Sequence, residues 1–463
     1  MGMRRKAMPG TEKRTAMPNK EKHTAKPSKE KLQLHTEPGM KQKPDVDTKG
    51  VKQASSLQLR KCLALSCLLL SCCATKDASP RTSTENDGHP SIKYITEHGY
   101  PVETHRVVTE DGYILKTLRI PHGRLSNKTN PNPILVTHGM GGCAENFIVL
   151  GPDNALAFFL ADRGFDVWLF NARGSLHSRK HKTKNPDGFF VGDDFWKFSW
   201  HEIGVYDLPA NIDYILKKTN KQDLFYIGHS QGGTIYFVLT AEKPEYNKNI
   251  RAAALYAPGA FVNYTYNPLI KLMCRFYPIL ERLAGLFNYY ELLIPNSPSL
   301  NMLMKQICSL SDDFMEACRD IFTIVGGQQS SLANLSVISL GLDYMPSGFS
   351  IRQPFHYCQV VRSGQFKQYD YGRRGNIIKY NTTTPPLYNL SNSVAPVAFF
   401  MANRDIVVSD KDTQHLSKSL PNIITTYEVP YDRFNHVDFV IAHNAKELVY
   451  EPIYEVLKQF LKE

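Results

Sequence analysis

The sequence predicts an α/β fold: a mostly parallel sheet flanked by helices, with a helical cap inserted late in the chain. Apolar strand-like runs alternate with helical patterns over residues 134–258 and resume at Val397, which is typical of a parallel sheet covered on both faces. Residues 259–394 interrupt that alternation, so we assign them to the cap. Asp111-Gly112 divides two strand-like runs within 106–119 and predicts a β-hairpin ahead of the parallel strands.

The N-terminal part of the chain differs in composition from the rest. Residues 1–58 are basic, rich in Lys and Pro and poor in apolar side chains, so we expect them to be disordered because they cannot bury enough surface to fold. Residues 59–75 contain a short apolar run that suits a signal-peptide core and is too short for a stable transmembrane span. The sequence thus predicts a core in two parts, 76–258 and 395–463, on either side of the cap.

The charge distribution argues against a nucleic-acid partner. The formal net charge of the 463 residues is +11. Residues 1–75 carry +10 of this charge and the remaining 388 residues carry +1. Because the predicted folded part is nearly neutral, it offers no basic surface for a phosphate backbone. We expect its partner surface to be apolar instead.

The most specific motif is Gly228-His229-Ser230-Gln231-Gly232. It follows an apolar strand-like run that begins at Leu224 and precedes a second apolar run of helical character. A sharp strand-to-helix turn holds its apex residue in strained backbone geometry, which small neighbours tolerate best. Serines in turns more often cap helices, but a serine at this apex is a candidate nucleophile because the helix N-terminus favours developing negative charge.

An oxyanion hole is predicted from a second motif. The loop His138-Gly139-Met140-Gly141-Gly142 follows a buried-strand run, and such a loop supplies one main-chain donor in serine hydrolases of the α/β class. The two donors would be the main-chain N–H groups of Met140 and Gln231. We expect His138 to support this loop rather than to transfer protons, and His229 to pack within the elbow.

The acid and the base follow the serine in the chain. Asp405 comes just after the strand-like run that starts at Val397, and His436 lies in a later polar loop. The order Ser230, Asp405, His436 is the order found in α/β-hydrolases. Asp410 is the alternative acid. This chemistry requires no metal and no organic cofactor.

Further strings of the chain are specific to one family. They are Thr109-Glu110-Asp111-Gly112-Tyr113, Asn171-Ala172-Arg173-Gly174, Tyr206-Asp207-Leu208-Pro209-Ala210 and Asn435-His436-Val437-Asp438-Phe439. With the elbow, they make the chain resemble the acid lipases, meaning the gastric and lysosomal lipases and their invertebrate relatives, roughly from residue 90 to the C-terminus. The resemblance implies an α/β-hydrolase fold in which Ser230 is the nucleophile, His436 the general base and acid, and Asp405 the residue that orients His436.

Two positions depart from that family's pattern. Met140 stands where family members usually carry leucine, which leaves the main-chain donor intact. Asp405 follows Ala402-Asn403-Arg404 instead of a Gly-Gly-x context. The resemblance also implies a disulfide between Cys308 and Cys318, which would leave an odd cysteine among the five that follow residue 75. The alternative is that all five are buried thiols.

The sequence also points to a secretory route. Five N-x-S/T sequons follow the apolar segment, at Asn127, Asn263, Asn334, Asn381 and Asn389. Such sequons are glycosylation acceptors in secreted proteins, and the signal-peptide-like segment 59–75 favours the same compartment. We therefore expect a protein of the secretory pathway, either extracellular or lysosomal.

The beginning of the cap carries two adjoining apolar stripes at helical spacing. One contains Leu269, Leu272, Phe276, Ile279, Leu283 and Leu286, and the other Ile270, Met273, Tyr277, Leu280, Ala284 and Phe287. Pro278 is expected to kink or split this helix. The stripes either pack against the core, or line an acyl pocket and meet a lipid surface.

Three functional hypotheses follow from these features. The first is a serine-dependent lipase that hydrolyses neutral-lipid carboxylic esters, triacylglycerol and/or cholesteryl ester, through an acyl-enzyme at a lipid–water interface. The second is a carboxylesterase for smaller soluble esters, which would use the same residues, although the apolar cap argues mildly against it. The third is a catalytically silent lipid-binding protein. A silent protein would normally lack the serine, the histidine or the acid, and all three are present.

Overall fold

The computed structural model of this chain describes residues 90–125, 131–187, 194–292, 344 and 346–461. Several predictions concern other residues and lie outside the described ones. They are the extension 1–58, the apolar segment 59–75, the Cys308–Cys318 pair, and the sequons at Asn127 and Asn334.

The strands of the described residues form one large mixed sheet and one small pair. The strands are β1 (Glu103–Val108), β2 (Tyr113–Ile120), β3 (Asn132–Thr137), β4 (Phe165–Leu169), β5 (Lys180–His181), β6 (Leu224–His229), β7 (Ile250–Tyr256), β8 (Glu291–Leu292), β9 (Phe349–Ser350), β10 (Val397–Met401) and β11 (Ile423–Glu428). The large sheet has the order β1-β2-β4-β3-β6-β7-β10-β11, with β5 pairing to β2, and β8 pairs with β9 separately.

The sheet begins with antiparallel strands and continues with parallel ones. β1 and β2 form the predicted hairpin, in which Val108 pairs with Ile114. β2 is also antiparallel to β4, whereas all neighbours from β4 to β11 are parallel. Parallel strands end at the same edge of a sheet, so the loops after β3, β6, β10 and β11 converge there. These loops contain every residue predicted for the active site.

The helices of the described residues lie between the strands and in the cap region. They are α1 (Pro90–Glu97), α2 (Leu156–Asp162), α3 (Leu208–Thr219), α4 (Gln231–Glu242), α5 (Pro268–Leu286), α6 (Arg352–Ser363), α7 (Gly372–Tyr380), α8 (Asp410–Lys418), α9 (Asp438–Ile441) and α10 (Glu451–Lys458). A helical turn at Trp200–Glu202 and a π-helical segment at Ile203–Asp207 lead into α3. Within the described part of the chain, no helix is long and apolar enough to cross a bilayer.

The two faces of the sheet contribute to two separate apolar cores. Ile134 and Val136 of β3 pack in one core with side chains of α2 and α10. Leu135, between them, packs in the other core with side chains of α3 and α4. This alternation is expected when side chains of successive strand residues point to opposite faces. The predicted fold class, a mostly parallel sheet flanked by helices, is confirmed.

The helix that opens the cap region is continuous. α5 begins at a cap in which the Asn267 side chain accepts from the amides of Leu269 and Ile270. It then runs without a break through Pro278 to Leu286, so the helix is not split there; a kink at Pro278, the other half of the expectation, stays a prediction. A proline removes a single helical hydrogen bond, here to the carbonyl of Cys274, while the turns on either side keep theirs.

A disulfide joins two helices of the cap region. Cys274 of α5 is bonded to Cys358 of α6, and Cys143 is a buried free thiol. The hypothesis that all five cysteines after residue 75 are thiols is therefore wrong. The sequence offered no signal for this pair, because its members are separated by 84 residues.

Candidate active site

Ser230 lies at the apex of the turn between β6 and α4. Its backbone has φ 51° and ψ −112°, a conformation that non-glycine residues adopt at a cost of about 1–3 kcal/mol. The turn is held by the Ser230 amide, which donates to the carbonyl of Tyr256 at 3.0 Å. Strain at this position presents the hydroxyl above the edge of the sheet, as in a nucleophile elbow.

The glycines beside Ser230 are required by close backbone contacts. A Cβ atom on Gly228 would lie 2.8 Å from the main chain of Gly232. One on Gly232 would lie 2.6 Å from the carbonyl oxygen of Thr137. Since real Cβ atoms essentially never approach so closely, a larger side chain at Gly228 would push the strand away from α4, and one at Gly232 would push α4 away from β3.

A hydrogen-bond chain connects Ser230 with His436 and Asp405. The distance from His436 Nε2 to Ser230 Oγ is 2.9 Å, and that from His436 Nδ1 to Asp405 Oδ2 is 2.7 Å. His436 and Asp405 are both buried. The three residues come from the loops after β6, β10 and β11. In sequence, His436 lies 31 positions from Asp405 and 206 positions from Ser230. Asp410, the alternative acid, is the exposed first residue of α8.

The carboxylate of Asp405 is fixed by the main chain that follows it. Its Oδ1 atom accepts from the amides of Val407 and Val408, each at 2.8 Å. The other oxygen is thereby directed at His436. A carboxylate placed in this way selects the tautomer of His436 that carries its proton on Nδ1 and leaves Nε2 free to accept from Ser230.

Hydrogen bonds within the loop and from His229 hold the loop that carries His436. The Asn435 side chain accepts from the amides of Val437 and Asp438, and the Asp438 carboxylate accepts from the Asn435 amide. In addition, His229 Nε2 donates to the carbonyl of His436 at 3.1 Å. Burial lowers the pKa of His229 well below its usual value, so this histidine is neutral and acts as a structural donor.

The predicted oxyanion loop is anchored by His138. Its Nδ1–H donates to the carbonyl of Gly139 at 2.7 Å, and its Nε2 accepts from the amide of Ala172 at 3.2 Å. Burial lowers the pKa of His138 to about 4. Both ring nitrogens are therefore used by the main chain, and His138 is a neutral support for the loop.

The two predicted oxyanion donors lie in the wall of one cavity. Met140 follows β3 and is partly exposed, whereas Gln231 is buried and is the first residue of α4. The first amides of a helix have no partner within it, so the Gln231 N–H is available to a ligand. Phe349 and Gln353 complete the same wall from the cap region.

A buried ion network behind this cavity was missed in the sequence. Arg173 is 1% exposed and donates from both terminal nitrogens to Asp111, at 2.6 and 2.8 Å. Its Nε and its main-chain amide donate to Asp207, at 2.7 and 2.9 Å. The network joins three of the family-specific strings, which were the available signal. It fixes the loop that contains Ala172, against which His138 is held.

The side chains brought together at this site are those of nucleophilic catalysis. No cluster of three or more His, Cys, Asp or Glu side chains suited to a metal ion occurs among the described residues. The arrangement instead combines a hydroxyl, an imidazole and a carboxylate in hydrogen-bond contact, which is the equipment of nucleophilic acyl transfer.

Comparison with known proteins agrees with this geometry. The α/β hydrolase fold family matches residues 132–276, and a partial α/β-hydrolase lipase region matches residues 92–151. The chain is 36% identical to Lipase member K of Mus musculus, over 86% of this chain and 99% of that protein. It is 37% identical to gastric triacylglycerol lipase of Homo sapiens, over 79% and 90% of the two chains. It is 36% identical to Lipase 3 of Drosophila melanogaster, over 79% of this chain and 91% of that protein.

The chain belongs to the acid lipase family. Identity at this level over nearly the whole length of the relatives covers the sheet and the cap region alike. The lipase is thus a carboxylic ester hydrolase with the α/β-hydrolase fold, as the sequence predicted.

Proposed function

We propose that the lipase hydrolyses neutral-lipid esters, triacylglycerol and/or cholesteryl ester, through an acyl-enzyme on Ser230. The observation that carries this proposal is the hydrogen-bond chain from Asp405 through His436 to the strained Ser230. The substrate class is supported by the relatives, which include a gastric triacylglycerol lipase.

In the first half of the reaction, His436 Nε2 takes the proton of Ser230 Oγ as the oxygen attacks the ester carbonyl. The main-chain N–H groups of Met140 and Gln231 bind the oxyanion of the tetrahedral intermediate. The intermediate collapses, the acyl–Ser230 ester remains, and imidazolium His436 gives its proton to the departing alcohol oxygen.

In the second half, water replaces the alcohol. His436 Nε2 removes a proton from this water as its oxygen attacks the acyl carbon, and the same two amides bind the oxyanion. Collapse releases the fatty acid, and the proton on His436 returns to Ser230 Oγ. Asp405 stays ionised throughout and stabilises the imidazolium in each half.

The outer face of α5 supports a lipid–water interface as the place of action. One of the two predicted stripes is exposed: the solvent-exposed fraction of its residues ranges from 44% to 76%. Its members are Leu269, Leu272, Phe276, Ile279, Leu283 and Leu286. Contiguous exposed apolar side chains of this kind typically mark contact with a membrane, a lipid surface or a partner.

The domain limits we propose are 76–258 for the first part of the core, 259–394 for the cap and 395–463 for the second part of the core.

A secretory location, extracellular or lysosomal, is supported by two observations. The Cys274–Cys358 disulfide favours an oxidising compartment. The sequons at Asn381 and Asn389 are exposed, whereas Asn263 is half-buried. We propose glycosylation at the two exposed sites in preference to Asn263.

The proposed function is tested with three substrates. The full chain would be assayed on emulsified triolein, emulsified cholesteryl oleate and soluble p-nitrophenyl butyrate, from about pH 4 to 8 because His436 must be neutral to accept a proton. We expect hydrolysis of at least one long-chain ester, and its loss in Ser230→Ala. Ser419→Ala, at the end of α8 and far along the chain from the elbow, is the matched control and should keep wild-type rates.

The alternatives make different predictions in the same assay. Hydrolysis of p-nitrophenyl butyrate alone would favour the carboxylesterase. Absence of hydrolysis from folded wild-type protein on all three substrates would favour the catalytically silent lipid-binding protein. Undiminished hydrolysis by Ser230→Ala would contradict the acyl-enzyme mechanism itself.

A further inference from the structure

Residues 346–353 of the cap region, called the return segment below, lie against the oxyanion loop. The amide of Ser347 donates to the carbonyl of Gly141 at 2.8 Å. The Ser347 hydroxyl accepts from the amide of Leu176 at 2.8 Å, and the residue is fully buried. Ser347 therefore connects the loop that carries Met140 with the loop after β4.

Phe349, two residues later, reinforces this contact. A Cβ atom on Gly141 would lie 3.1 Å from the Phe349 ring, and Gly141 has φ 71°. Both the space and the backbone conformation thus require glycine here. The ring covers the residue next to Met140 and limits the movement of the loop.

The same return segment also reaches the second predicted donor. Gln353, in the first turn of α6, accepts through Oε1 from Nε2 of Gln231 at 2.7 Å. The two side chains are 3% and 4% exposed. Gln231 Oε1 has no hydrogen-bond partner among the described residues. Within the described part of the chain, the side-chain amide of Gln231 is therefore held by its bond to Gln353. This bond ties the first residue of α4, which carries the predicted donor N–H, to the first turn of α6.

We propose that Ser347 and Gln353 are positioning residues of the oxyanion hole, each holding the residue or loop that supplies one donor. This inference rests on the proposed function, because it assumes that the amides of Met140 and Gln231 bind the oxyanion. It extends that function by making the geometry of the hole depend on how the return segment is docked. Residues of the cap region then influence the chemical step and not only substrate entry.

The expected effect is on kcat rather than on KM. Oxyanion donors act when they lie about 2.7–3.1 Å from the developing charge, and loss of one donor costs about 10²- to 10³-fold in kcat. Removing Gln353 leaves the Gln231 N–H in place but less constrained. We therefore expect a smaller loss, about tenfold, with KM for a small ester changed less than twofold, since the ground-state ester depends little on the hole.

The matched pair of variants is Gln353→Met and Gln359→Met. Gln359 lies on the same helix, is equally buried, and forms two hydrogen bonds with the main chain of Asp370, at 2.7 and 3.0 Å. These bonds are made to Asp370 and not to a predicted oxyanion donor, so its replacement tests the general docking of α6. Both variants of the full chain would be assayed on p-nitrophenyl butyrate, which is small and soluble, and thermal unfolding would be measured in parallel.

A third variant, Gln353→Glu, has nearly the same shape and supplies a charge-dependent readout. A neutral glutamic acid can still accept from Gln231, whereas an ionised one places negative charge in the wall where the oxyanion forms. His138 and Arg173 are the titratable side chains of the described residues that line the same wall. Since both also occur in the wild type, the ratio of variant to wild-type kcat at each pH isolates the new group. We expect this ratio to fall as pH rises through the pKa of the new carboxyl, which burial at this position raises above the value of about 4.3 of an unperturbed glutamate.

The outcomes separate this inference from the proposed function. A kcat loss in Gln353→Met that exceeds the loss in Gln359→Met, together with a falling ratio for Gln353→Glu, supports the inference. Equal kcat losses in the two methionine variants, or a ratio independent of pH, would overturn it while Ser230→Ala remained inactive. If Ser230→Ala were active, the proposed function would fail first. Should Gln353→Met not fold, the pH ratio of Gln353→Glu decides alone.

Discussion

Replacing Asp405 by asparagine should disable His436 without moving it. In the structure Oδ1 of Asp405 accepts from the amides of Val407 and Val408, both at 2.8 Å. An asparagine must place its carbonyl oxygen there, because its NH₂ group cannot accept from two N–H donors. The NH₂ group then takes the position of Oδ2 and points at His436 Nδ1.

This substitution shifts the imidazole proton of His436 from Nδ1 to Nε2. His436 must present an unprotonated Nδ1 to the new donor, which puts its proton on Nε2, towards Ser230 at 2.9 Å. In this tautomer the ring cannot take the serine proton. Serine hydrolases with the same three groups lose about 10⁴-fold in kcat by this exchange, equivalent to about 5.5 kcal/mol on the barrier. We expect a loss of that order here.

The assay compares Asp405→Asn with Asp410→Asn on p-nitrophenyl butyrate. Both aspartates follow β10, and Asp410 is exposed at the start of α8, so its variant should keep kcat within about twofold, as expected for an exposed surface substitution. KM should be nearly unchanged in both variants. A loss below tenfold in Asp405→Asn, or a comparable loss in Asp410→Asn, would refute the tautomer argument.

Three further predictions concern stability. Arg173→Met should lower the free energy of unfolding by about 3–5 kcal/mol in urea denaturation, since it leaves the fully buried carboxylate of Asp207 and the half-buried one of Asp111 without their cation. The double variant Cys274→Ser, Cys358→Ser should lose about 4.6 kcal/mol, the loop-closure value for a separation of 84 residues. Because the pKa of His138 is lowered to about 4 from 6.5, the folded chain binds fewer protons than the unfolded chain between these values. Stability therefore rises with pH across this window, and His138→Asn should remove a rise of about 3 kcal/mol.

Each of these three has a control and a contrary outcome. Arg374→Met, at an exposed position of α7, should change the free energy of unfolding by less than about 0.5 kcal/mol; equal losses in the two arginine variants would contradict the network argument. Reducing agent should destabilise the wild type more than the double serine variant. His415→Asn, on the exposed side of α8, should keep the pH dependence of the free energy of unfolding that His138→Asn loses. If the free energy of unfolding depended on pH in both variants as in the wild type, His138 would not be its source.

The sequence predicted the fold and the candidate triad because both depend on local patterns in a fixed order. The elbow is contiguous, and its glycines report contacts of the backbone with itself, such as Gly232 against Thr137. The acid and the histidine follow the ends of recognisable strands, and parallel pairing brings those ends to one edge. The choice of Asp405 over Asp410 likewise depended on distance from the end of β10.

Other features depended on long-range packing that no short pattern encodes. Gln353 contacts Gln231 across 122 positions, and an isolated glutamine gives no signal of its partner. The Cys274–Cys358 pair required knowledge of how α5 lies on α6. The proline alone could not decide between a kinked and a split α5, because continuity depends on the hydrogen bonds and contacts that hold the rest of the helix.

The central claim, that Ser230 is the nucleophile of this lipase, is tested most directly by covalent labelling. The full chain would be treated with a fluorophosphonate, digested, and analysed by mass spectrometry while the remaining hydrolysis of emulsified triolein and cholesteryl oleate is followed. The account predicts one phosphonate per chain, on Ser230, with hydrolysis lost in proportion to labelling. Label on a different residue, or hydrolysis that persists after Ser230 is fully modified, would contradict it.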